Sequence, residues 1–280
     1  MTWEIPDVDA LFTDDRMLIA ALQRHGVAAE SVVWSDPDVD WNSYDVAVIR
    51  STWDYIDERA VFLSVLDTIE SSSCRLFNAR DAVRWNSDKS YLFDLEAWGV
   101  PIVPTVTASG FLGDPVGRGW STVVVKPTVG TGASDVSRVT RNRIGETLER
   151  LYADGLLDEY LIQPMVNSVV DEGEWSFIVI AGRFSHALLK KPAAGDYRTQ
   201  GIYGGTVLSV VPPADDIRQA DDILAAVPYD LLYARLDLVR VDGQLAVMEL
   251  ELIEPILYFS LAPECVDRLA TAVIARDGMS

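Results

Sequence analysis

Histidine and cysteine, two of the commonest sources of catalytic and metal-binding side chains, occur only twice each in this chain. Cys74 and Cys265 lie far apart with no nearby partner in a CxxC-type spacing, which excludes a zinc knuckle, a redox pair and a disulfide framework. Both are expected as reduced thiols. His25 and His186 form no discernible Ser-His-Asp arrangement and are read as structural. Positive charge is also scarce: 23 Lys and Arg stand against 43 Asp and Glu, a net charge of −20. That field repels phosphate backbones and anionic lipid surfaces, so neither nucleic acid nor a membrane is expected as a partner. No apolar run approaches the roughly 20 residues that span a bilayer. Residues 1–15 carry five acids and no base, unlike a secretory signal. These absences point to a cytoplasmic protein.

What remains is a globular composition, 49% hydrophobic and 24% charged, in 280 residues. That length suits about two domains of roughly 150 residues. The first third alternates between helix and strand, which predicts an α/β layer on a mostly parallel sheet. Asp14 is placed to cap a helix carrying Met17, Leu18, Ala21 and Leu22 and ending at Gly26. Strands are expected at Val32–Trp34, Val46–Ile49 and Arg75–Phe77, and helices over 59–70 and over 88–98 before Gly99. Met1 to Ile5 leaves room only for a very short opening strand. Beyond the Gly99, Pro101 and Pro104 cluster the texture becomes α+β, with seven longer β-runs between 122 and 252 and helices near 144–153, 215–226 and 263–275.

The most informative stretch is Leu232 to Glu254. Arg235 and Asp237 alternate with the apolar Ala234, Leu236 and Leu238, while Glu249 and Glu251 alternate with Met248, Leu250 and Leu252. A two-residue turn at Asp242-Gly243 would set Asp237 against Met248 and mix charge with core on both faces. A three-residue loop over Asp242, Gly243 and Gln244 instead pairs Asp237 with Glu249, Arg235 with Glu251 and Leu236 with Leu250, and is the expected register. Three acids so placed raise one another's pKa unless a cation is present. Mg²⁺ usually takes one or two carboxylates plus phosphate oxygens, so a metal-nucleotide site suits the group. The alternative is an exposed sheet face on which Arg235 neutralises the acids.

Cations and a loop of small residues supply the other half of such a site. The strand Thr122–Lys126 runs into Gly130, Thr131, Gly132, Ala133 and Ser134, where backbone N–H groups can approach an anion closely. A plain hairpin turn is the alternative. Lys89 falls in what reads as a first helical turn, where the macrodipole disfavours it unless it serves a ligand. Lys190 shares a strand face with His186 and Leu188, and Arg198 follows on a loop. Arg50, Ser51, Thr52, Trp53 and Asp54 sit at the C-terminal end of a predicted strand, where α/β sheets bind ligands. They are assigned to substrate, with Arg50 as a carboxylate clamp; a strand-end turn packed by Trp53 is the competing account.

Taken in order, Lys89, Lys126, the 130–134 loop, Gln163-Pro164-Met165-Val166, Glu174, Lys190, Asp196-Tyr197-Arg198 with Gly204-Gly205, Asp237 and Glu249-Leu250-Glu251 resemble the ATP-grasp superfamily of ligases over about residues 85–260. The resemblance implies an N-terminal α/β substrate domain (1–99) before two α+β subdomains (100–166 and 167–280) that sandwich ATP. It implies Lys89 and Lys126 on the phosphates beneath the closing 130–134 loop. Gln163, Pro164, Met165 and Val166 would form the hinge that reads adenine, with Asp171 or Glu172 near the ribose and Glu174 in the nucleotide site. Asp237, Glu249 and Glu251 would hold two Mg²⁺ ions. Lys190, Arg198 and Arg235 would be catalytic, Arg198 meeting the γ-phosphate or an acyl phosphate. Where the family often ends its metal ligands in Glu-x-Asn, this chain has Glu249-Leu250-Glu251 and then Glu254, which leaves Glu251 and Glu254 as alternatives. Arg50 to Tyr55, Gly173 to Phe177 with Phe184 to Ala187, and Met248 to Pro255 are similar to a narrower bacterial group that includes the cyclo-ligase acting on O-ureido-D-serine in D-cycloserine biosynthesis, together with relatives of unknown substrate. The implied activity converts a small amino-acid-like substrate to an acyl phosphate and closes a C–N bond. An intermolecular dipeptide-type ligase and a non-catalytic ATP binder are the alternatives, and a homo-oligomer is left open.

Overall fold

A computed structural model of the chain describes residues 12–111, 113, 119–132, 134–193 and 204–278. The expected opening strand at Met1–Ile5 lies outside the described residues. Helix α1 (Thr13–Arg24) buries Leu18, Ala21 and Leu22, one stripe at helical spacing, and stops at Gly26, whose φ of +79° suits a residue without a Cβ. Asp14 does not cap it. Its carboxylate reaches across the molecule and accepts from the N–H groups of Leu257, Tyr258 and Phe259. Val32–Trp34 joins no ladder among the described residues, and Val33 is 66% exposed, so the expected strand there is replaced by a turn into Asp36.

Strands β1 (Val46–Val48) and β2 (Arg75–Phe77) pair in parallel and are linked by α2 (Arg59–Ser71), which buries Phe62, Leu63, Leu66 and Ile69. The expected helix over 88–98 is two helices, α3 (Arg80–Asn86) and α4 (Tyr91–Ala97). Between them the Asp88 carboxylate accepts from the Ser90 N–H at 2.9 Å, a local turn that competes with helix.

An antiparallel sheet of order β3-β6-β4-β5 follows, built from β3 (Val106–Thr107), β4 (Thr122–Pro127), β5 (Ser137–Thr140) and β6 (Tyr160–Pro164). Helix α5 (Ile144–Ala153) packs Ile144, Leu148 and Leu151 against it. A second antiparallel sheet has the order β11-β10-β7-β8-β9, from β7 (Glu174–Ile180), β8 (Arg183–Lys191), β9 (Thr206–Val210), β10 (Tyr233–Val241) and β11 (Gln244–Glu251).

One face of this second sheet, carrying Phe177, Leu236 and Leu250, packs on α6 (Ala214–Ala225) and α4. The other face changes character along its length. At one end Ile178, Ile180 and Tyr233 pack with α1 and α7 (Val266–Asp277). At the other end the same face carries Glu174, Ser176, Arg235 and Asp237, all buried. The N-terminal layer is fastened to the join. Asn78 donates to the Tyr233 and Leu252 carbonyls and accepts from the Leu232 N–H, and the Tyr233 hydroxyl points between the Ile49 and Ile253 carbonyls. Among the described residues no helix is long and apolar enough to cross a membrane.

Candidate active site

The hairpin β10–β11 builds the floor of a large cleft lined by residues of both antiparallel sheets and the N-terminal layer. Its loop corrects the expected one. Val241 pairs with Gln244, so the turn has two residues, Asp242 (φ +50°) and Gly243 (φ +83°), both left-handed as this tight hairpin requires. The rejected turn is accommodated by a β-bulge: Leu238 pairs with Val247 and Asp237 with Glu249, leaving Met248 unmatched. Past the bulge the register is the expected one, Asp237 opposite Glu249, Leu236 opposite Leu250 and Arg235 opposite Glu251.

Strand β11 is the edge of its sheet, and its outer rim is held by residues to which the sequence assigned no role. Asn86 donates to the Leu250 carbonyl and accepts from the Leu252 N–H, while the Tyr91 hydroxyl accepts from the Leu250 N–H. Val247 exchanges backbone bonds with Pro101 and Val103. Both backbone groups of Leu250 are therefore engaged between Glu249 and Glu251, which fixes where those carboxylates stand.

The charges on the floor are mutually matched. Asp237 takes the Lys190 ammonium at 3.1 Å and the Arg235 guanidinium at 2.9 Å, and accepts from the Ser176 hydroxyl. Lys190 also donates to Glu174 at 2.9 Å, and Arg235 to Glu251 and to the Ile256 carbonyl. Asp237 and Arg235 are buried, so the alternative of an exposed, solvated face does not apply. Burial alone would raise the Asp237 pKa, yet Arg235 and Lys190 together hold it well below the usual carboxylate range. Burial likewise works against charged Lys190 and Arg235, and the facing carboxylates hold both above their ordinary values.

Glu249 and Glu251 stand differently. Their side chains remain 32% and 30% exposed to the cleft. Glu249 pairs with Lys126 of β4 at 3.2 Å, and despite the burial that opposes it, Lys126 and Lys89 keep its pKa low. Burial draws the Lys126 pKa down, with Glu249 acting against that. Burial pushes Glu251 up to about 7, even with Arg235 beside it, and pushes Glu254 up to about 8, helped by the charge of Glu251. Carboxyl groups raised in this way sit where a further cation is favourable. Among the described residues no three acidic side chains converge on one point, and Asp237 is saturated by Arg235, Lys190 and Ser176. The donor set thus fits a cation held by Glu249 and Glu251 with oxygens from a ligand better than a three-carboxylate protein cage, while Asp237 stands as the counter-ion of Lys190 and Arg235.

The anion side of the cleft comes from the β4–β6 sheet. Gly130, Thr131, Gly132 and Ser134 line the cleft, with Gly132 at φ +62°. Lys89 lies in the α3–α4 connection rather than in a first helical turn. Its N–H is bonded to the Thr128 carbonyl at 2.7 Å and its ammonium to the Gly130 carbonyl, so it is tied to the loop itself. Gln163, Pro164, Met165 and Val166 also line the cleft. The Gln163 amide donates to the Thr105 hydroxyl at 2.8 Å and the Met165 N–H to the Thr122 carbonyl, which stiffens the segment. Ala133 and Arg198 lie outside the described residues.

Asp171 and Glu172 do not line the cleft. Glu172 instead accepts from the Trp175 indole and the Arg240 guanidinium, and Asp171 is exposed at the end of the single-turn helix Ser168–Asp171. Arg50, Ser51, Thr52, Trp53 and Asp54 all line the cleft. Arg50 is not a lone cation there, since Asp15 lies 3.5 Å from its Nε and its Nη2 donates to the Pro255 carbonyl. Ser51 donates to Asp15, Trp53 to the Glu254 carbonyl, and Asp54 accepts from Trp34.

Residues 2–78 match the family described as the N-terminal domain of D-cycloserine synthetase DcsG. The whole chain is 33% identical to the cycloserine biosynthesis protein DcsG of Streptomyces lavendulae, with 92% of each chain covered. The crystal structure of D-cycloserine synthetase DcsG superposes with a TM-score of 0.85 at 29% identity, covering 96% of both chains. The D-alanine–D-alanine ligase of Bacillus anthracis complexed with ATP shares the fold at a TM-score of 0.68 and 17% identity, over 98% of this chain and 94% of that one. The architecture, the match along nearly the full length and the carboxylate hairpin together lead to one assignment: the chain has the ATP-grasp fold and belongs to the D-cycloserine synthetase (DcsG) family.

Proposed function

We propose that this enzyme is an ATP-dependent cyclo-ligase that activates the carboxylate of a small amino-acid-derived substrate, of the O-ureido-D-serine type, and closes an intramolecular C–N bond. The observation that carries this reading is the single cleft shared by the Arg235–Asp237–Glu249–Glu251 floor and the Arg50–Asp54 segment, which lets one bound molecule meet both. The substrate carboxylate attacks the γ-phosphorus of ATP with loss of ADP, and the substrate's own nitrogen, losing its proton, then displaces phosphate from the acyl carbon; the carbamoyl group left on that nitrogen is removed by hydrolysis as ammonia and carbon dioxide. Ring closure within one molecule gains the proximity advantage of an intramolecular step.

Glu249 and Glu251 would hold Mg²⁺, which supplies charge neutralisation on the transferring phosphoryl group. Lys126 and Lys89 orient the phosphates beneath the 130–134 loop. Lys190 and Arg235, both buried and held in place by Asp237, present fixed positive charge toward the acyl centre, so that little reorganisation accompanies the reaction. Arg198 would add to this charge, and Gln163 to Val166 would seat the adenine. The two free, buried cysteines are in keeping with a reducing, cytoplasmic setting.

The test is phosphate release from Mg-ATP with O-ureido-D-serine, read together with product mass. Substrate-dependent release, lost in Glu249→Gln, with a product containing one substrate unit, is the expected result. A product of two substrate units would replace ring closure by an intermolecular ligase.

A further inference from the structure

Among the described residues, Asp135, Ala181, Asp242 and Tyr258 are the non-glycine residues with a positive φ, and of these Tyr258 lines the cleft. A bulky side chain in the left-handed region costs energy and persists only where its surroundings impose it. Here five consecutive residues are pinned. Arg50 Nη2 donates to the Pro255 carbonyl at 2.9 Å, Arg235 Nη1 donates to the Ile256 carbonyl at 3.1 Å, and the His186 ring bonds the Leu257 carbonyl at 2.8 Å. The N–H groups of Leu257, Tyr258 and Phe259 all donate to the Asp14 carboxylate. Leu257 and Phe259 are fully buried on either side, so the clamp turns the side chain between them, that of Tyr258, into the cleft. Its ring lies over both buried cations of the floor, 5.9 Å from the Lys190 ammonium and 6.0 Å from the Arg235 guanidinium, within reach of a cation–π contact. We propose that the Tyr258 ring shields the acyl phosphate from water, so that the acyl carbon is taken by the substrate's nitrogen and not by hydrolysis. This role rests on the ligase reading above and belongs to a residue that neither the nucleotide nor the metal assignment uses.

An acyl phosphate is open to two nucleophiles. When the substrate nitrogen adds, the C–N bond forms, the nitrogen loses its proton and the C–O bond to phosphate breaks. When water adds, the same C–O bond breaks, the carboxylate returns together with phosphate and a proton, and ATP is consumed with no bond made. The cleft runs from the phosphate loop to the Arg50–Asp54 segment, so its size does not keep water out. Exclusion has to be local. The cations that face the acyl centre have carboxylates as their side-chain ion partners, Glu174 and Asp237 on Lys190 and Asp237 and Glu251 on Arg235. Each of those carboxylates also binds water. The Tyr258 ring is the neutral neighbour: its face meets a cation without a hydrogen bond, and it covers the charge while offering water no donor or acceptor of its own. With Lys190 and Arg235 side chains only 5% and 9% exposed, the ring completes a dry wall beside the reacting carbon.

The full chain is given Mg-ATP and O-ureido-D-serine, and phosphate released is counted against ring product measured by mass. The wild type is expected to release about one phosphate per ring, and Tyr258→Asn about threefold more or beyond, because water then competes for the acyl carbon. Asparagine tolerates the left-handed conformation, so it removes the ring without straining the loop. Should that variant fail to fold, Tyr258→Gly, which suits the same φ, takes its place. The KM for ATP is expected to stay within about twofold, since uniform binding of the nucleotide is untouched. Tyr258→Phe keeps the ring and is expected to keep the wild-type ratio. An unchanged ratio in Tyr258→Asn overturns the shield. So does a Tyr258→Phe variant as uncoupled as Tyr258→Asn, which would transfer the role to the hydroxyl. A wild type that joins two substrate units ends the ring-closing reading, and phosphate counted per C–N bond in the same variants then upholds or overturns the shield by itself. A wild type that releases no phosphate overturns the ligase reading and the shield with it.

Discussion

Lys126 of β4 and Glu249 of β11 form an ion pair at 3.2 Å that joins one antiparallel sheet to the other across the cleft. Each partner belongs to a different half of the proposed nucleotide site, Lys126 to the phosphates and Glu249 to the metal. On the proposed reading, binding of Mg-ATP would exchange this pair for two new ones. Glu249→Gln should keep affinity for metal-free ATP within about threefold, because its loss frees Lys126, while removing the gain in affinity that Mg²⁺ confers. Lys126→Met should weaken metal-free ATP by about tenfold or more. Calorimetry with and without Mg²⁺ checks both, and equal Mg²⁺ dependence in wild type and Glu249→Gln would contradict the assignment.

Asp237 is a counter-ion before it is anything else. It faces Lys190 and Arg235 with its side chain 5% exposed, so removing its charge leaves two buried cations short of a partner. Asp237→Asn is expected to destabilise the protein by about 3 to 5 kcal/mol, the usual cost of breaking a buried ionic group. Ser176→Ala, which removes a single hydroxyl donor to Asp237, should cost about 1 kcal/mol. Urea denaturation of the two variants tests the ratio, and comparable losses would show that the cations are compensated by other groups.

The carboxylate floor was legible because alternation along a strand leaves few ways to keep charge off the core face. The register Asp237–Glu249 follows from that rule, yet its mechanism does not. A three-residue loop appeared necessary, whereas the chain uses the two-residue Asp242-Gly243 turn and corrects the phase with a bulge at Met248. A bulge has no sequence signature when its extra residue is an ordinary apolar one. The Asn86 and Tyr91 clamp on Leu250 was invisible for another reason, since it joins residues 159 to 166 apart in the chain. Asp14 misled because an acid opening an apolar stripe reads as a cap, while its true partners lie 243 to 245 residues away. Lys89 reads from the sequence as a cation in a first helical turn, and that placement does not hold. It lies in the connection ahead of α4, which begins at Tyr91.

Glu254 makes the stability of the empty enzyme depend on pH in a defined direction. Its pKa rises from 4.5 to about 8 on folding, chiefly through burial and then through the charge of Glu251. A raised carboxyl binds more protons folded than unfolded, so its contribution is fully present below about pH 4.5 and is lost as pH climbs through 8. Glu254→Gln keeps the neutral state throughout. Its melting temperature relative to wild type should therefore increase from pH 5 to pH 8.5, as measured by thermal unfolding in matched buffers. A constant difference across that range would show that Glu254 is ionised and solvated in the folded enzyme.

Asp14 fixes the loop that lies over Lys190 and Arg235. Its two carboxylate oxygens accept the N–H groups of Leu257, Tyr258 and Phe259 at 2.7, 2.9 and 2.9 Å, and the His186 ring bonds the Leu257 carbonyl from the other side. Tyr258 is held at φ +56°, a left-handed conformation that costs a tyrosine energy and persists only where its surroundings impose it. Its ring lies 5.9 Å from the Lys190 ammonium and 6.0 Å from the Arg235 guanidinium. Asp14→Ala orphans three N–H groups and should destabilise the enzyme by about 3 kcal/mol, lowering the melting temperature by roughly 5 to 10 °C. Below that temperature the released loop should lower kcat more than it weakens ATP, because the nucleotide side of the cleft is built from the other sheet. Thermal unfolding and steady-state kinetics at 20 °C measure the two effects. A stable Asp14→Ala variant with unchanged kcat would mean that the loop holds Tyr258 in place without this carboxylate.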